Sequence, residues 1–561
     1  MKKTMKASDL FVKCLENEGI EYIFGVPGEE IADFLVSLNN SDKIKFILTR
    51  HEQSAAFMAD VYGRLTGRLA CCLSTLGPGA SNLLTGVANA NMDHSPLLVL
   101  TGQGATDKLH KESHQIMDVC EMFKPVTKWT TSITNPSTIP EITRKAVRLA
   151  MYEKPGATHI ELPEDIAKIK IKKIPLKVKK ICTNAIQCSL KRPVPDDETI
   201  KEVFDLIQES NSPIMIVGNG VIRKNASAQL RRLCEKAKIP VVSTFMGKGA
   251  IDTDSNLFIS TIGLGATDYG DYAVMCADLV ITIGFDMVEY HPRLWNQNNK
   301  ARIIHIDFEP AEVDEHYMPE IEVVGDITTA LKKLSKCINH YDIKKFKNKR
   351  HKNICKKNED DINKNNKDKS EGLIKPQKFL YDLRKSMGER DLLISDVGAH
   401  KMWIARNFKC HHPNTCIIPN GFSAMGFALP GAIAADLLNT KNKIYSISGD
   451  GGFLMNSHEM ETAKRFSTNI ISILWEDKSY GLIKWKQKIK LGETTDLDFN
   501  NPDWKLLAKA YGWNYVFENK STRLVSTLKK IRKLKGPTLF IVPIDYRENY
   551  KLTKKLNSLE I

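Results

Sequence analysis

Two acidic residues 27 positions apart, Asp450 and Asp477, each follow an apolar run. The first run, Ile444 to Ser448, leads into Gly449-Asp450-Gly451-Gly452, and the second, Ile470 to Leu474, leads into Glu476-Asp477. Between them the spacing of Phe453, Met460 and Ala463 predicts a helix with one apolar side. Two strands joined through a helix run parallel, so both carboxylates are expected at the carboxyl edge of one sheet. Magnesium typically binds through one or two carboxylates plus substrate phosphates. Glycines let main-chain N–H groups approach such phosphates closely in front of a helix N-terminus. The stretch Ser448 to Gly481 thus predicts a metal-bridged diphosphate site, the plainer alternative being a tight turn with solvated acids.

A third carboxyl stands apart. Glu52 lies in Arg50-His51-Glu52-Gln53, after a predicted strand (Ile44 to Thr49) and before a small-residue helix (Ser54 to Gly67) containing Ala55, Ala56 and Ala59. A partly desolvated carboxyl group there favours its neutral form and suits proton exchange with a ligand nitrogen. An acid set against the helix macrodipole fits the same position, and position alone leaves both open.

The elements that must hold these residues repeat one plan of strand, glycine turn and helix. In the first block, a helix with Leu10, Phe11, Cys14 and Leu15 on one face precedes the strand Tyr22 to Phe24, which ends in Gly25-Val26-Pro27-Gly28. Strands Ala70 to Ser74 and Pro96 to Thr101 follow, the former meeting Gly77-Pro78-Gly79. A second block starts after the proline-bearing stretch Arg192 to Asp196, with strands at Pro213, Pro240 to Thr244, Leu279 to Gly284 and Arg302 to Asp307. Its Gly218-Asn219-Gly220 lacks a third glycine and is a weak nucleotide signal. The third block has a helix Gln377 to Met387, a strand Leu392 to Ser395 ending in Asp396-Val397-Gly398-Ala399-His400, a helix Leu429 to Leu437 and a final strand Thr538 to Val542, expected to close the sheet. This pattern predicts an α/β protein of three domains, each a mainly parallel sheet flanked by helices. The expected boundaries are 1–175, 195–340 and 373–561, with a basic linker at 341–372.

Composition narrows the setting. A chain of 561 residues, 42% hydrophobic, has ample core for about three to four domains by the usual size prior. No run of 18 apolar residues occurs and the charged N-terminus lacks a signal-peptide core, so no membrane span is expected. Much of the +15 net charge sits in the tract Lys332 to Lys369, which reads as a solvated linker without the interleaved aromatics of a nucleic-acid surface. The twelve cysteines form no CxxC pair, and Cys410-His411-His412-Pro413-Asn414-Thr415-Cys416 does not match the usual zinc frameworks. A reduced, cytoplasmic protein is the expectation.

Assembled, these residues resemble the thiamine diphosphate-dependent enzymes of the acetohydroxyacid synthase and pyruvate oxidase group, over nearly the whole chain. The supporting stretches are Phe24-Gly-Val-Pro-Gly28, Arg50-His-Glu-Gln53, Gly77-Pro-Gly79, Ile303 to Glu312, Phe422 to Pro430, and Gly449-Asp-Gly451 with Asp477. Within the group the chain looks closest to the acetolactate synthases. The resemblance implies that Glu52 hydrogen-bonds the cofactor's aminopyrimidine N1′ and drives its activation. It implies Mg²⁺ on Asp450, Asp477 and the main-chain oxygen of Ser479. Gly398, His400, Gly451 and Gly452 would contact the diphosphate, with Asp477 and Tyr480 beside it. Met425 would support the bent cofactor and main-chain groups around Ser423 would hold the pyrimidine amine. The three domains would then be pyrimidine-binding, central and diphosphate-binding. In such enzymes the first domain of one subunit faces the third of another, implying a homodimer or homotetramer.

Three departures from the group's biosynthetic branch agree with one another. His114-Gln115 stands where that branch has Phe-Gln in the substrate loop. Gly284 to Pro292 with Leu294-Trp-Asn296 replaces the segment that grips FAD, and Lys486 takes the place of a tryptophan associated with 2-ketobutyrate. They resemble the catabolic, pyruvate-only enzymes and speak against an FAD requirement. The implied reaction condenses two pyruvates to 2-acetolactate and CO₂ through a hydroxyethyl carbanion on the cofactor, His114 and Gln115 orienting the acceptor. The alternative is a pyruvate oxidase-like enzyme or another 2-oxoacid decarboxylase. The second metal ligand, commonly Asn, is Asp477 here, still an oxygen donor.

Overall fold

Each of the three blocks builds a six-stranded, wholly parallel sheet. In this computed structural model, residues 4–172, 192–264, 267–340, 349–364, 367–438 and 441–557 are described. They fall into two compact units, one of 4–172, 421–438 and 454–468, the other of the remainder.

In the first unit the strand order is Lys45–Leu48, Tyr22–Gly25, Ala70–Ser74, Leu97–Gln103, Ala157–Pro163, Trp129–Ser132. Ala70–Ser74 and Leu97–Gln103 are buried along their whole length, as central strands covered on both faces must be. The helix Glu52–Thr66 buries eleven of the twelve positions Glu52–Gly63, Gln53 being the partly exposed one. Its small side chains admit two neighbours closely, the helices Gly77–Met92 and Ala428–Leu437. A Cβ at Gly86 would stand 2.4 Å from that of Ala56, so the first contact needs glycine. Phe427 meets Phe57 edge-on at 5.5 Å, beside the second. A short antiparallel pair, Thr4–Lys6 with Lys170–Lys172, brackets the block.

The second unit holds two sheets. The central one runs Phe258–Thr261, Val241–Ser243, Pro213–Val217, Leu279–Ile283, Arg302–Asp307, Ile321–Val324. The last runs Cys416–Ile417, Leu392–Ser395, Ile444–Gly449, Ile470–Glu476, Thr538–Pro543, Asn514–Phe517. Thr538–Pro543 therefore lies inside the sheet, and Asn514–Phe517 forms the edge that it was expected to be. The single helix expected after Gly452 is two, Asp450–Met455 and Met460–Arg465, broken where the Asn456 side chain turns to donate to the Gly426 carbonyl at 2.9 Å.

The tract read as a solvated linker is a further correction. Residues 341–348 lie outside the described residues, but Lys349–Asn363 is a helix with Ile354 fully buried. Its Cys355 thiol donates to the Phe258 carbonyl (3.3 Å) and its Asn358 amide to the Ile259 carbonyl (2.8 Å), covering the central sheet's edge strand. Lysine-rich composition hides a face that needs few apolar groups, because hydrogen bonds to the strand do part of the docking. Among the described residues no helix is long and apolar enough to cross a membrane, and ten cysteines are free thiols.

Candidate active site

Parallel pairing sets Gly449 opposite Trp475, so the next residues on both strands emerge at one sheet edge. Asp450 is 1% exposed. Its Oδ2 accepts from the main-chain N–H of Asp477 (3.2 Å) and Lys478 (2.6 Å) and from Asn501 Nδ2 (2.9 Å), and its Oδ1 from Gly451 N–H (2.9 Å). Burial, followed by the charge of Asp450, pushes the Asp477 carboxyl up to about 8, with Lys484 opposing. Two carboxylates crowded this way repel unless a proton or a cation sits between them, and an all-oxygen donor set suits a hard divalent cation.

Beside this pair lies a tight glycine cradle. A Cβ on Gly452 would come 3.3 Å from the Asp396 carboxyl carbon, and one on Gly451 would come 3.0 Å from the Tyr480 ring. His400 follows Gly398 at the end of Leu392–Ser395, buried, its ring edge-on to Trp475 at 6.4 Å. Burial pulls its pKa down to about 3, so the ring is neutral, and its Nε2 has no partner among the described residues. A buried polar atom left open beside a glycine cradle fits a ligand that brings its own hydrogen-bonding oxygens. Gly398, His400, Asp450, Gly451, Gly452, Asp477, Ser479 and Tyr480 are thus gathered at one edge of the second unit. Ser479 is nearly buried and pairs with Asp498, while Tyr480 is largely exposed.

The other expected residues belong to the first unit. His51 caps the helix Glu52–Thr66, its Nδ1 accepting from Gln53 N–H at 3.1 Å. Glu52, 9% exposed, accepts from Asn82 Nδ2 at 3.0 Å, with Gly79 alongside. Gln115, left-handed at φ 57°, sets its carbonyl against Gly77, and both it and His114 are exposed. Ser423, also left-handed, and the half-buried Met425 follow Gly421, whose N–H donates to Asp93.

Sequence reasoning missed two residues. Glu459 is fully buried and accepts from the main-chain N–H of Arg50 (2.9 Å) and His51 (3.2 Å), so it holds the turn that presents Glu52. Asn501 bridges Asp450 and the Glu476 carboxylate (3.0 Å), and Trp504 Nε1 donates to the same Glu476 oxygen. Neither residue carries a local sequence signal: Glu459 reads as a helix-surface acid and Asn501 lies 51 residues beyond its partner.

Three family models match in order: the N-terminal TPP binding domain of thiamine pyrophosphate enzymes over residues 5–122, their central domain over 200–334, and their C-terminal TPP binding domain over 396–542. The chain belongs to the thiamine pyrophosphate enzyme family. Within it, the chain is 35% identical to a probable acetolactate synthase large subunit of Methanocaldococcus jannaschii, across 95% of this chain and 90% of that protein. It is 33% identical to the catabolic acetolactate synthase of Raoultella terrigena (99% and 98% covered) and 32% identical to an acetolactate synthase of Bacillus subtilis (98% and 94%). For a thiamine pyrophosphate enzyme the pair Asp450–Asp477 and its cradle lie in the matched C-terminal domain, and Glu52 in the matched N-terminal one.

One feature of the central domain differs from a nucleotide cradle. At Gly218-Asn219-Gly220 the Asn219 N–H donates to Glu289 Oε1 at 2.9 Å, and the Thr244 hydroxyl donates to the other oxygen of the same carboxyl group. The donors of that turn are already engaged by the chain itself, which does not fit a dinucleotide phosphate seated there.

Proposed function

We propose that this thiamine pyrophosphate enzyme is an acetolactate synthase that condenses two pyruvates to 2-acetolactate with loss of CO₂. The observation that carries the reading is full-length similarity to acetolactate synthases combined with an intact set of three carboxyl groups, Glu52, Asp450 and Asp477. Bound thiamine diphosphate would supply the carbanion chemistry that breaks and makes the carbon–carbon bonds. Asp450 and Asp477, with the main-chain oxygen of Ser479, would hold Mg²⁺; Gly398, His400, Gly451 and Gly452 would receive the diphosphate, with Tyr480 beside it. A neutral His400 adds a hydrogen bond there without adding charge. Glu52 would hold and move the proton at the pyrimidine N1′, with main-chain groups around Ser423 and the side chain of Met425 fixing the ring's place. His114 and Gln115 would orient the acceptor pyruvate. Engagement of the central glycine turn by Glu289 supports a reaction without FAD. The protein is read as a cytoplasmic homodimer or homotetramer.

The test is product identification from pyruvate with thiamine diphosphate and Mg²⁺, with and without FAD. Acetolactate from a colourless protein is expected. Acetaldehyde or acetyl phosphate in its place, or a yellow protein that needs an electron acceptor, would overturn the reading in favour of a decarboxylase or an oxidase.

A further inference from the structure

A cavity of about 640 Å³ lies in the second unit between the helix Lys349–Asn363, the segment entering the edge strand Phe258–Thr261, and the end of the helix Ala399–Asn407. None of the residues placed in the proposed active site lines it. We propose that this cavity binds a small hydroxylated organic anion, its charge met by lysines and its hydroxyl groups by two buried asparagines.

The charge comes first. Lys238, Lys248, Lys352 and Lys356 line the cavity, and among the described residues none of the four has a carboxylate within 4.0 Å. Lys248 is 2% exposed, and among the described residues its ammonium donates only to the Ala405 carbonyl (2.8 Å) and the Thr261 hydroxyl (3.3 Å). The thiols of Cys410 and Cys416 are the only acidic groups acting on it among the described residues, and an anion beside a buried cation relieves its desolvation cost. The other three lysines are exposed at the rim, where they outnumber the lining carboxylates Glu359 and Asp254, the latter paired with Lys409, and draw in negative charge.

The second observation is independent of charge. Asn358 and Asn407 are both lining residues, both more than nine-tenths buried, and each has an Oδ1 with no hydrogen-bond partner among the described residues. For Asn358 the amide orientation is fixed, because its Nδ2 donates to the Ile259 carbonyl. Its oxygen therefore wants a donor, which a hydroxyl group supplies and a bare inorganic anion does not. Ile362 and Phe408 complete the wall with apolar surface for a carbon skeleton. The volume suits a metabolite-sized ligand, whose usual pockets run from roughly 300 to 1,000 Å³.

Isothermal titration calorimetry on the full-length protein, saturated with thiamine diphosphate and Mg²⁺ so that the proposed active site is filled, tests this. The probes are glycerol 3-phosphate and gluconate, with glycerol as the uncharged control. Binding of at least one charged probe, weakened about tenfold or more by Lys352→Glu with Lys356→Glu and also weakened by Asn407→Leu, is expected. The probe that binds distinguishes a phosphate ester from a carboxylate. The charge reversals sit on exposed positions of the helix, and an unchanged melting curve establishes that they leave the fold intact. No binding of either charged probe, equal binding of glycerol, or binding undiminished in the double variant would overturn the proposal.

Discussion

Glu459 is the residue to perturb first, since it acts on Glu52 without being its neighbour in sequence. Its Oε1 accepts two main-chain N–H groups at the start of the helix Glu52–Thr66, and its Oε2 accepts the Thr462 hydroxyl at 2.5 Å. Glu459→Leu leaves two donors and a hydroxyl without their acceptor. At about 1 kcal/mol per lost hydrogen bond, and somewhat more where water does not reach, the expected cost is roughly 2–4 kcal/mol. That corresponds to a melting temperature lowered by about 5–10 °C. Glu459→Gln keeps an acceptor for the two N–H groups, and the Thr462 hydroxyl can turn to accept from the new amide, so its cost should stay below about 1 kcal/mol. Thermal melts should therefore order wild type, Gln, Leu. Turnover should follow the same order with KM for pyruvate little changed, because what moves is the peptide that carries Glu52. A Leu variant as stable and active as wild type would refute the argument, as would a Gln variant as damaged as Leu, since that would assign the effect to charge.

Glu52→Gln is expected to lower turnover by ~10² or more while leaving the melting temperature near that of wild type; near-normal activity would remove Glu52 from proton transfer. Ile354→Asp should detach the helix Lys349–Asn363 from the central sheet's edge, read as rapid trypsin cleavage within 349–364 that the wild type resists. Asp271, buried at the start of the helix Tyr269–Met275, is raised from its ordinary 3.8 to about 7, first by burial and then by the charge of Asp268. A raised carboxyl favours the folded state while it is protonated, so its contribution is complete below pH 3.8, declines as pH rises and is gone above pH 7. Asp271→Asn should flatten the stability profile in that window by up to about 1.4 kcal/mol per pH unit relative to wild type; parallel profiles for the two proteins would count against it.

The legibility of this chain followed hydrophobic contrast. Ile444–Gly449 and Ile470–Glu476 announce themselves as apolar runs stopped by glycine and acid, and because parallel neighbours share an edge, the proximity of Asp450 to Asp477 follows from the runs alone. Edge strands lack that contrast: Trp129–Ser132 and Asn514–Phe517 are half-exposed and mixed in polarity, and neither was foreseen. The helix Lys349–Asn363 was hidden for a different reason, since Asn358 and Cys355 dock it through hydrogen bonds that no periodicity encodes. Glu459 and Asn501 were invisible because their importance lies in long-range partners, 409 and 51 residues away. The strands that bring Asp450 and Asp477 to one edge were readable, and the residues that hold the neighbouring turns in place were not.

The first unit's make-up bears on how the protein emerges from the ribosome. Its helix Glu52–Thr66 is covered in part by Ala428–Leu437, and its Arg50–His51 turn is closed by Glu459. Nearly the whole chain must be synthesised before those surfaces are covered, and at roughly 5–20 residues per second the wait is tens of seconds. During that interval an alanine-rich apolar face and two unpaired main-chain donors remain open to other nascent chains. Expression of residues 1–175 alone is therefore expected to yield aggregates, and co-expression with a fragment spanning 373–561 to increase its yield of soluble protein.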